Sequence, residues 1–411
     1  MRRPSPTENL ELMALRLESE ISLQSAAQPQ QEIRVLHIVE NLDNQAVENW
    51  LLRVFRESRT SHPHIKWTFF CTEAKRGKFD IAAQDLGGEV IHTRYALAEK
   101  IQFLRGLRRV MKQGNYNILH CHHDIMSAGY LLASKGLPFQ KRIVHVHNTS
   151  ISLPTSNRLK AALLSAPMRW ICLHMADQVI GISRDALQSL IGTENPQPSR
   201  HQIVHYAIDT ARFARARQDR DGFRREMGFD DRALIVLFVG RVVDYKNPLF
   251  VVEILERLAK ENPRAVAVFA GMGAQEQQLK EAAKQAGLER KVRLLGFRND
   301  VAELMVNSDV LIWPSLEEPK EGLGLGIVEA QAAGLPILMS RSVPREAIVV
   351  PALVDVLPLA AGAKAWANRT SEILKRTRPN REQSLTKVES SSFSMGAGVG
   401  NLMRLYEGVH R

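Results

Sequence analysis

Residues 233–247 read ALIVLFVGRVVDYKN: seven apolar residues, a glycine, then a mixed turn that carries Arg241, Asp244 and Lys246. A short, continuous apolar run rich in branched side chains and closed by glycine predicts a strand buried on both faces. Asn247 and Pro248 then read as a helix start, with Asn247 as its cap and proline in the first turn. Working outward, the same unit recurs downstream, with predicted strands at 265–270, 292–295, 310–313 and 337–339. Upstream it recurs at 33–39, 66–71, 89–93, 117–122, 142–147 and 178–183, with amphipathic stretches between, such as 47–56, 102–112 and 160–174. Strand alternating with helix implies right-handed crossovers and parallel sheets covered on both faces.

Apolar periodicity fades between 208 and 232, so the expected architecture is α/β, with two doubly wound Rossmann-like domains facing across a cleft. At 411 residues the chain is too long for one ordinary core. The expected divisions are an extension at 1–31, domains at 32–210 and 211–390, and a terminal helix at 391–411 that packs back toward the first domain. Leu10, Met13, Leu17 and Ile21 recur at helical spacing within the extension.

A hydrophobic share of 45% with 24% charged residues is that of an ordinary soluble protein. No apolar run reaches the roughly 18 residues of a membrane span, and the basic start is followed by no signal-peptide core. Cys71, Cys121 and Cys172 are too dispersed for a disulfide framework or a zinc site, which points to a reducing cytoplasm. The net charge of +11 suits anionic small molecules or peripheral contact with an anionic membrane face. Nucleic acid is disfavoured, since aromatic residues make up only 6% and do not interleave with the arginines.

Three segments carry candidate chemistry. In the first, Glu321 and Glu329 bracket a turn, Gly322-Leu323-Gly324-Leu325-Gly326, that leads into a helix. Free N–H groups at such a start attract phosphate or sugar oxygens; a plain βα turn with a solvated and a capping glutamate reads equally well. In the second, Arg241 and Lys246 follow Gly240 at the carboxyl end of a strand and suit a diphosphate, as a planar fork and a point charge. The alternative is two exposed cations at a helix start, where the dipole mildly disfavours them. In the third, His145 and His147 share a sheet face at a strand end, where His147 reads as a base, a hydroxyl partner or a structural histidine. The cluster His120-Cys121-His122-His123-Asp124 shows no second ligand pair, so no metal site is expected.

Taken in order, these segments resemble the retaining GT-B glycosyltransferases of glycosyltransferase family 4, in the branch that builds bacterial capsule and exopolysaccharide. The resemblance rests on Val35-Leu36-His37-Ile38-Val39, His145 to Ser150, Gly181-Ile182-Ser183, Gly240-Arg241 with Lys246, Asp300-Val301, Pro314-Ser315-Leu316 and the run from Glu321 through Glu329 into Gln331-Ala332-Ala333-Gly334-Leu335-Pro336. It implies transfer of a hexose from a UDP- or GDP-linked donor to a sugar or lipid-linked acceptor, with no cofactor and no metal. It implies that Arg241 and Lys246 hold the diphosphate, that Glu321 and the amides of Gly322, Leu323, Gly324 and Leu325 approach the sugar, that Glu329 grips the ribose and that His147 lies by the transferred sugar. A cytoplasmic site, peripheral on the inner membrane face, is the matching location.

Two departures stand out. Relatives carry Gly-Gly where this chain has Gln45-Ala46, and Asn-Gly-Ile-Asp where it has Tyr206-Ala207-Ile208-Asp209. A Cβ at the first position crowds a phosphate, which keeps open the alternative of a catalytically inactive GT-B-fold partner or regulator of a polysaccharide assembly complex.

Overall fold

The structure is a computed structural model that describes residues 31–43, 46–150, 158–192 and 197–408. The amphipathic stretch from Leu10 to Ile21 and the substituted position Gln45 lie outside the described residues.

Two parallel sheets organise the chain. The first holds β1 (Ile33–Val39), β2 (Ile65–Cys71), β3 (Glu89–His92), β4 (Ile118–Cys121), β5 (Lys141–Val146), β6 (Gln178–Gly181) and β7 (His201–Ile203), in the order β3-β2-β1-β4-β5-β6-β7. The second holds β8 (Leu234–Val239), β9 (Ala265–Ala270), β10 (Val292–Leu294), β11 (Val310–Trp313), β12 (Ile337–Met339) and β13 (Val354–Val356), in the order β10-β9-β8-β11-β12-β13. In each, the order reverses beside the first strand, between β1 and β4 and between β8 and β11. Ligands of doubly wound sheets sit beyond the carboxyl ends at such a reversal.

All eleven strands expected from apolar runs are present, with ends displaced by a residue or two. The edge strands β7 and β13 are additions. Each is three residues long and only partly buried, so neither displays an apolar run. The helix after β8 starts at Pro248 as expected, but Asn247 does not cap it through its side chain. Its backbone is left-handed instead, at φ 54°.

Polar contacts brace the second half and its return to the first. Asp309, just before β11, accepts from Arg220 and Arg224 and from the backbone N–H of Ile235, holding the connecting helix Arg220–Glu226 against β8. The last helix, Met395–Glu407, packs on helix Ala46–Ser61 of the first half. Lys141 Nζ reaches the carbonyl of Leu405 at 2.6 Å, and the Tyr406 hydroxyl meets His120 Nδ1 at 2.7 Å. Among the described residues, no helix is long and apolar enough to cross a membrane.

Candidate active site

The carboxyl ends of both sheets open on one cavity of about 930 Å³, walled from both halves. Its second-sheet wall contains Arg241, Tyr245, Lys246, Trp313 and the loop Glu321 to Gly326. Gly240 turns the chain out of β8, and Arg241 stands exposed with Nη2 2.5 Å from the Tyr245 hydroxyl. Lys246 points the other way. Its Nζ lies 2.5 Å from Glu321 Oε1 and 4.5 Å from the centre of the Trp313 ring. The same oxygen of Glu321 accepts from Trp313 Nε1 at 3.1 Å and Ser315 Oγ at 2.5 Å. Two neutral donors and a cation on one carboxylate oxygen fix it in place.

The glycines of the loop serve contact as well as conformation. A Cβ on Gly322 would lie 2.5 Å from the carbonyl oxygen of His147, so only glycine lets the second half come this close to the first. The Gly322 carbonyl accepts from Ser183 Oγ at 2.6 Å, and Thr149 Oγ1 reaches the Lys320 carbonyl at 2.6 Å. Gly324 takes a left-handed φ of 79° and starts helix Leu325–Ala332, whose first-turn N–H groups have no partners within the helix. Leu323 and Leu325 also line the cavity. Glu329 does not. It sits a turn deeper in that helix, where burial raises its carboxyl pKa while Arg53 and Arg212 lower it. Arg241, Lys246, Glu321 and the glycine turn therefore assemble on one wall, and Glu329 stands behind it with two arginines.

The first-sheet wall includes His122, His123, Asp124, His147 and Tyr206. His147 has both ring nitrogens engaged: Nδ1 with the Tyr206 hydroxyl at 2.5 Å, and Nε2 with His122 Nδ1 at 3.2 Å. His122 Nε2 continues to His37 Nδ1 at 3.1 Å. Burial drives His37 and His147 down to a pKa of about 3 and lowers His120, His122 and His145 as well, so the whole row is neutral. Neutral rings make the relay from His147 through His122 to His37 possible, because His122 and His147 can each donate through one nitrogen and accept through the other. In two trios, His37 with His120 and His122, and His122 with His145 and His147, ligand atoms lie within 4.8 Å of one another. The sequence reading found no second ligand pair because it could not see that β1 brings His37 alongside β4.

That reading also missed two acids on this wall. Glu40 follows β1 and is exposed; Glu48 lies in the first turn of the next helix and is 4% exposed. Burial, with Glu40 and Asp43 nearby, raises the Glu48 carboxyl to about 7. Their position just beyond the carboxyl end of the central strand was the available signal.

Two facing Rossmann-like domains with this cleft define the GT-B class of glycosyltransferase folds. The family described as Glycosyltransferase Family 4 matches residues 31–212, and that described as Glycosyl transferases group 1 matches residues 219–385. Together these span both halves, and the chain belongs to the group 1 and family 4 glycosyltransferases. It is 27% identical to EpsF of Bacillus subtilis, which carries a provisional glycosyltransferase name, over 91% of this chain and 96% of that one. It is 21% identical to the capsular polysaccharide biosynthesis glycosyltransferase CapH of Staphylococcus aureus, over 91% and 98%. Among solved structures, Anabaena HepE in complex with UDP superposes with a TM-score of 0.73 at 16% identity, covering 92% of this chain and all of that one.

Proposed function

We propose that this chain moves a hexose from a nucleotide-diphosphate donor to an acceptor in polysaccharide biosynthesis, with retention of anomeric configuration. The observation that carries the reading is the fixed constellation of Arg241, Lys246 and Glu321 beside an open helix start, facing His147 across the cleft. Arg241 and Lys246 balance charge on the leaving diphosphate, and preorganised donors aimed at a developing anion are the largest catalytic term such a site offers. The Gly322–Leu325 amides lie beside the sugar phosphate, and Glu321 turns its second oxygen to the sugar. His147, neutral and held at both nitrogens, shapes the sugar pocket and takes no proton. Glu329 contacts the ribose once a donor draws Arg53 and Arg212 aside. The reaction needs no metal, and the enzyme works in the cytoplasm, against the inner membrane face when its acceptor is lipid-linked.

A uridine diphosphate donor is supported by neighbours of this fold solved with UDP and with UDP-glucose. The test is a panel of UDP, GDP, ADP and their sugar conjugates, read as melting shifts. A ligand at a hundred times its dissociation constant adds about 2.7 kcal/mol. The expected result is a selective shift with one base that disappears in Arg241→Ala. Silence across the panel overturns the transfer reading and favours the inactive partner.

A further inference from the structure

The two walls of the cavity differ in charge. Among the described residues, the lysine and arginine side chains that line it, Arg241 and Lys246, both belong to the second sheet. The first-sheet wall contributes the carboxylates Glu40, Glu48 and Asp124, and its histidines are neutral. Asp124 is already engaged, accepting from the His147 backbone N–H and the Asn148 side-chain amide at 2.6 Å each.

Glu48 is different. It is buried to 96%, it lines the cavity, and its Oε2 is buried with no hydrogen-bond partner among the described residues. A buried carboxylate oxygen left without a donor is costly, so the Glu48 side chain, which lines the cavity, gains a hydrogen bond when it turns that oxygen toward a ligand. It lies opposite the wall that suits the diphosphate, which is where an accepting hydroxyl has to enter.

We propose that Glu48, with Glu40 beside it, is the acceptor-recognition site, and that it takes a sugar ring bearing hydroxyl or amino groups and rejects a ring bearing phosphate or carboxylate. The proposal rests on the transfer reading for the direction of attack and extends it to the chemical class of the acceptor. Carboxylates accept well from vicinal hydroxyls and better from an ammonium group. An anionic substituent on the same ring meets the Glu40 and Glu48 carboxyl groups in a half-closed cleft, and among the described residues no lysine or arginine on that wall offsets them. A diphosphate further along a lipid-linked acceptor is not restricted by this wall.

The experiment reads binding directly, so that it does not depend on turnover. With UDP present, saturation-transfer NMR is used to titrate methyl glycosides of glucose, galactose and N-acetylglucosamine, then glucosamine, then the 6-phosphates and 6-carboxylates of the same rings. At least one neutral or amino ring is expected to bind the wild type, while its anionic counterpart binds at least about tenfold more weakly. Glu48→Gln is expected to weaken the neutral ring about tenfold, and Glu48→Asp, which keeps the charge one methylene back, to weaken it less. Equal or tighter binding of the anionic rings overturns the proposal. So does binding of no neutral or amino ring, or a Glu48→Gln variant within twofold of the wild type. The melting shift with UDP reports on the transfer reading separately: it should be the same in wild type and Glu48→Gln, and its absence from both counts against transfer and not against the ring site.

Discussion

The two halves share a topology and differ in what they bury. Twelve of the thirteen histidines precede residue 206 and the other is His410, so the second sheet has none. In the first sheet His37, His120 and His145 are wholly buried, and His37 Nε2, His120 Nε2 and both nitrogens of His145 lack hydrogen-bond partners among the described residues. In the second sheet β9 is buried along its whole length with the apolar sequence AVAVFA, and Arg241, Lys246 and Glu321 gather at the strand ends. One half thus spends core stability on neutral polar groups beneath its wall, and the other concentrates fixed charge at its rim. A wall of neutral donors and acceptors suits a sugar ring, and a rim of fixed cations suits a diphosphate.

The largest effect expected from this asymmetry is acid sensitivity confined to one half. Five buried imidazoles have folded pKa values below the ordinary 6.5. As pH falls through 6.5 the unfolded chain takes up these protons and the folded chain does not, so stability is lost from there down toward the folded values. Each such group costs about 1.4 kcal/mol per pH unit. Glu48, with its pKa raised, works in the opposite direction and offsets part of the loss. The net result between pH 7 and pH 5 is a loss of stability, because five groups act against one. Hydrogen exchange at the two pH values should show β1, β4 and β5 losing protection while β8, β9 and β11 keep theirs. Simultaneous loss in both halves would erase the distinction.

Next in size is the rim. Lys246→Met leaves Glu321 buried with neutral donors alone, and breaking such a pair costs about 3–5 kcal/mol. Urea unfolding should show the loss in the second half, and the nucleotide melting shift should vanish with it. Glu321→Gln is expected to cost less stability, because Trp313 and Ser315 still have an oxygen to donate to. An unchanged nucleotide shift in Lys246→Met would remove the lysine from the site.

How much of this the sequence revealed depended on which contacts were local. The strands and their alternation with helices follow from apolar runs, and β7 and β13 escaped because short half-buried edges have none. Arg241, Lys246 and the turn from Glu321 to Gly326 were legible because each follows a strand in sequence, and parallel topology gathers strand ends. The pairing of Lys246 with Glu321 was not legible, since the two come from turns after different strands. Nor was the histidine row, which needs the register that sets His37 beside His120. The withdrawal of Glu329 behind the wall comes from helix Leu325–Ala332 running inward from the cavity, which eight-residue spacing alone does not convey.

The smallest effect tests the acidic wall by stability alone. Burial and the neighbouring charges of Glu40 and Asp43 lift the Glu48 carboxyl from 4.5 to about 7. The folded protein therefore holds this proton more tightly than the unfolded chain, and above pH 7 it bears the cost of a buried charge that only a backbone N–H at Glu48 itself offsets. Below pH 4.5 both states are protonated and the cost is absent. Glu48→Gln removes the charge and keeps the shape, so it should stabilise the first half by about 2 kcal/mol at pH 8, and the gain should shrink as pH falls toward 4.5. Urea midpoints at several pH values would show this as a slope between the two proteins. A variant that gains stability while its ring binding weakens marks a position where folding and function pull apart, as expected of a binding group. A loss of stability at pH 8 would mean that the fold holds the carboxylate more strongly than its burial costs and that the acceptor wall has to be sought elsewhere in the cleft.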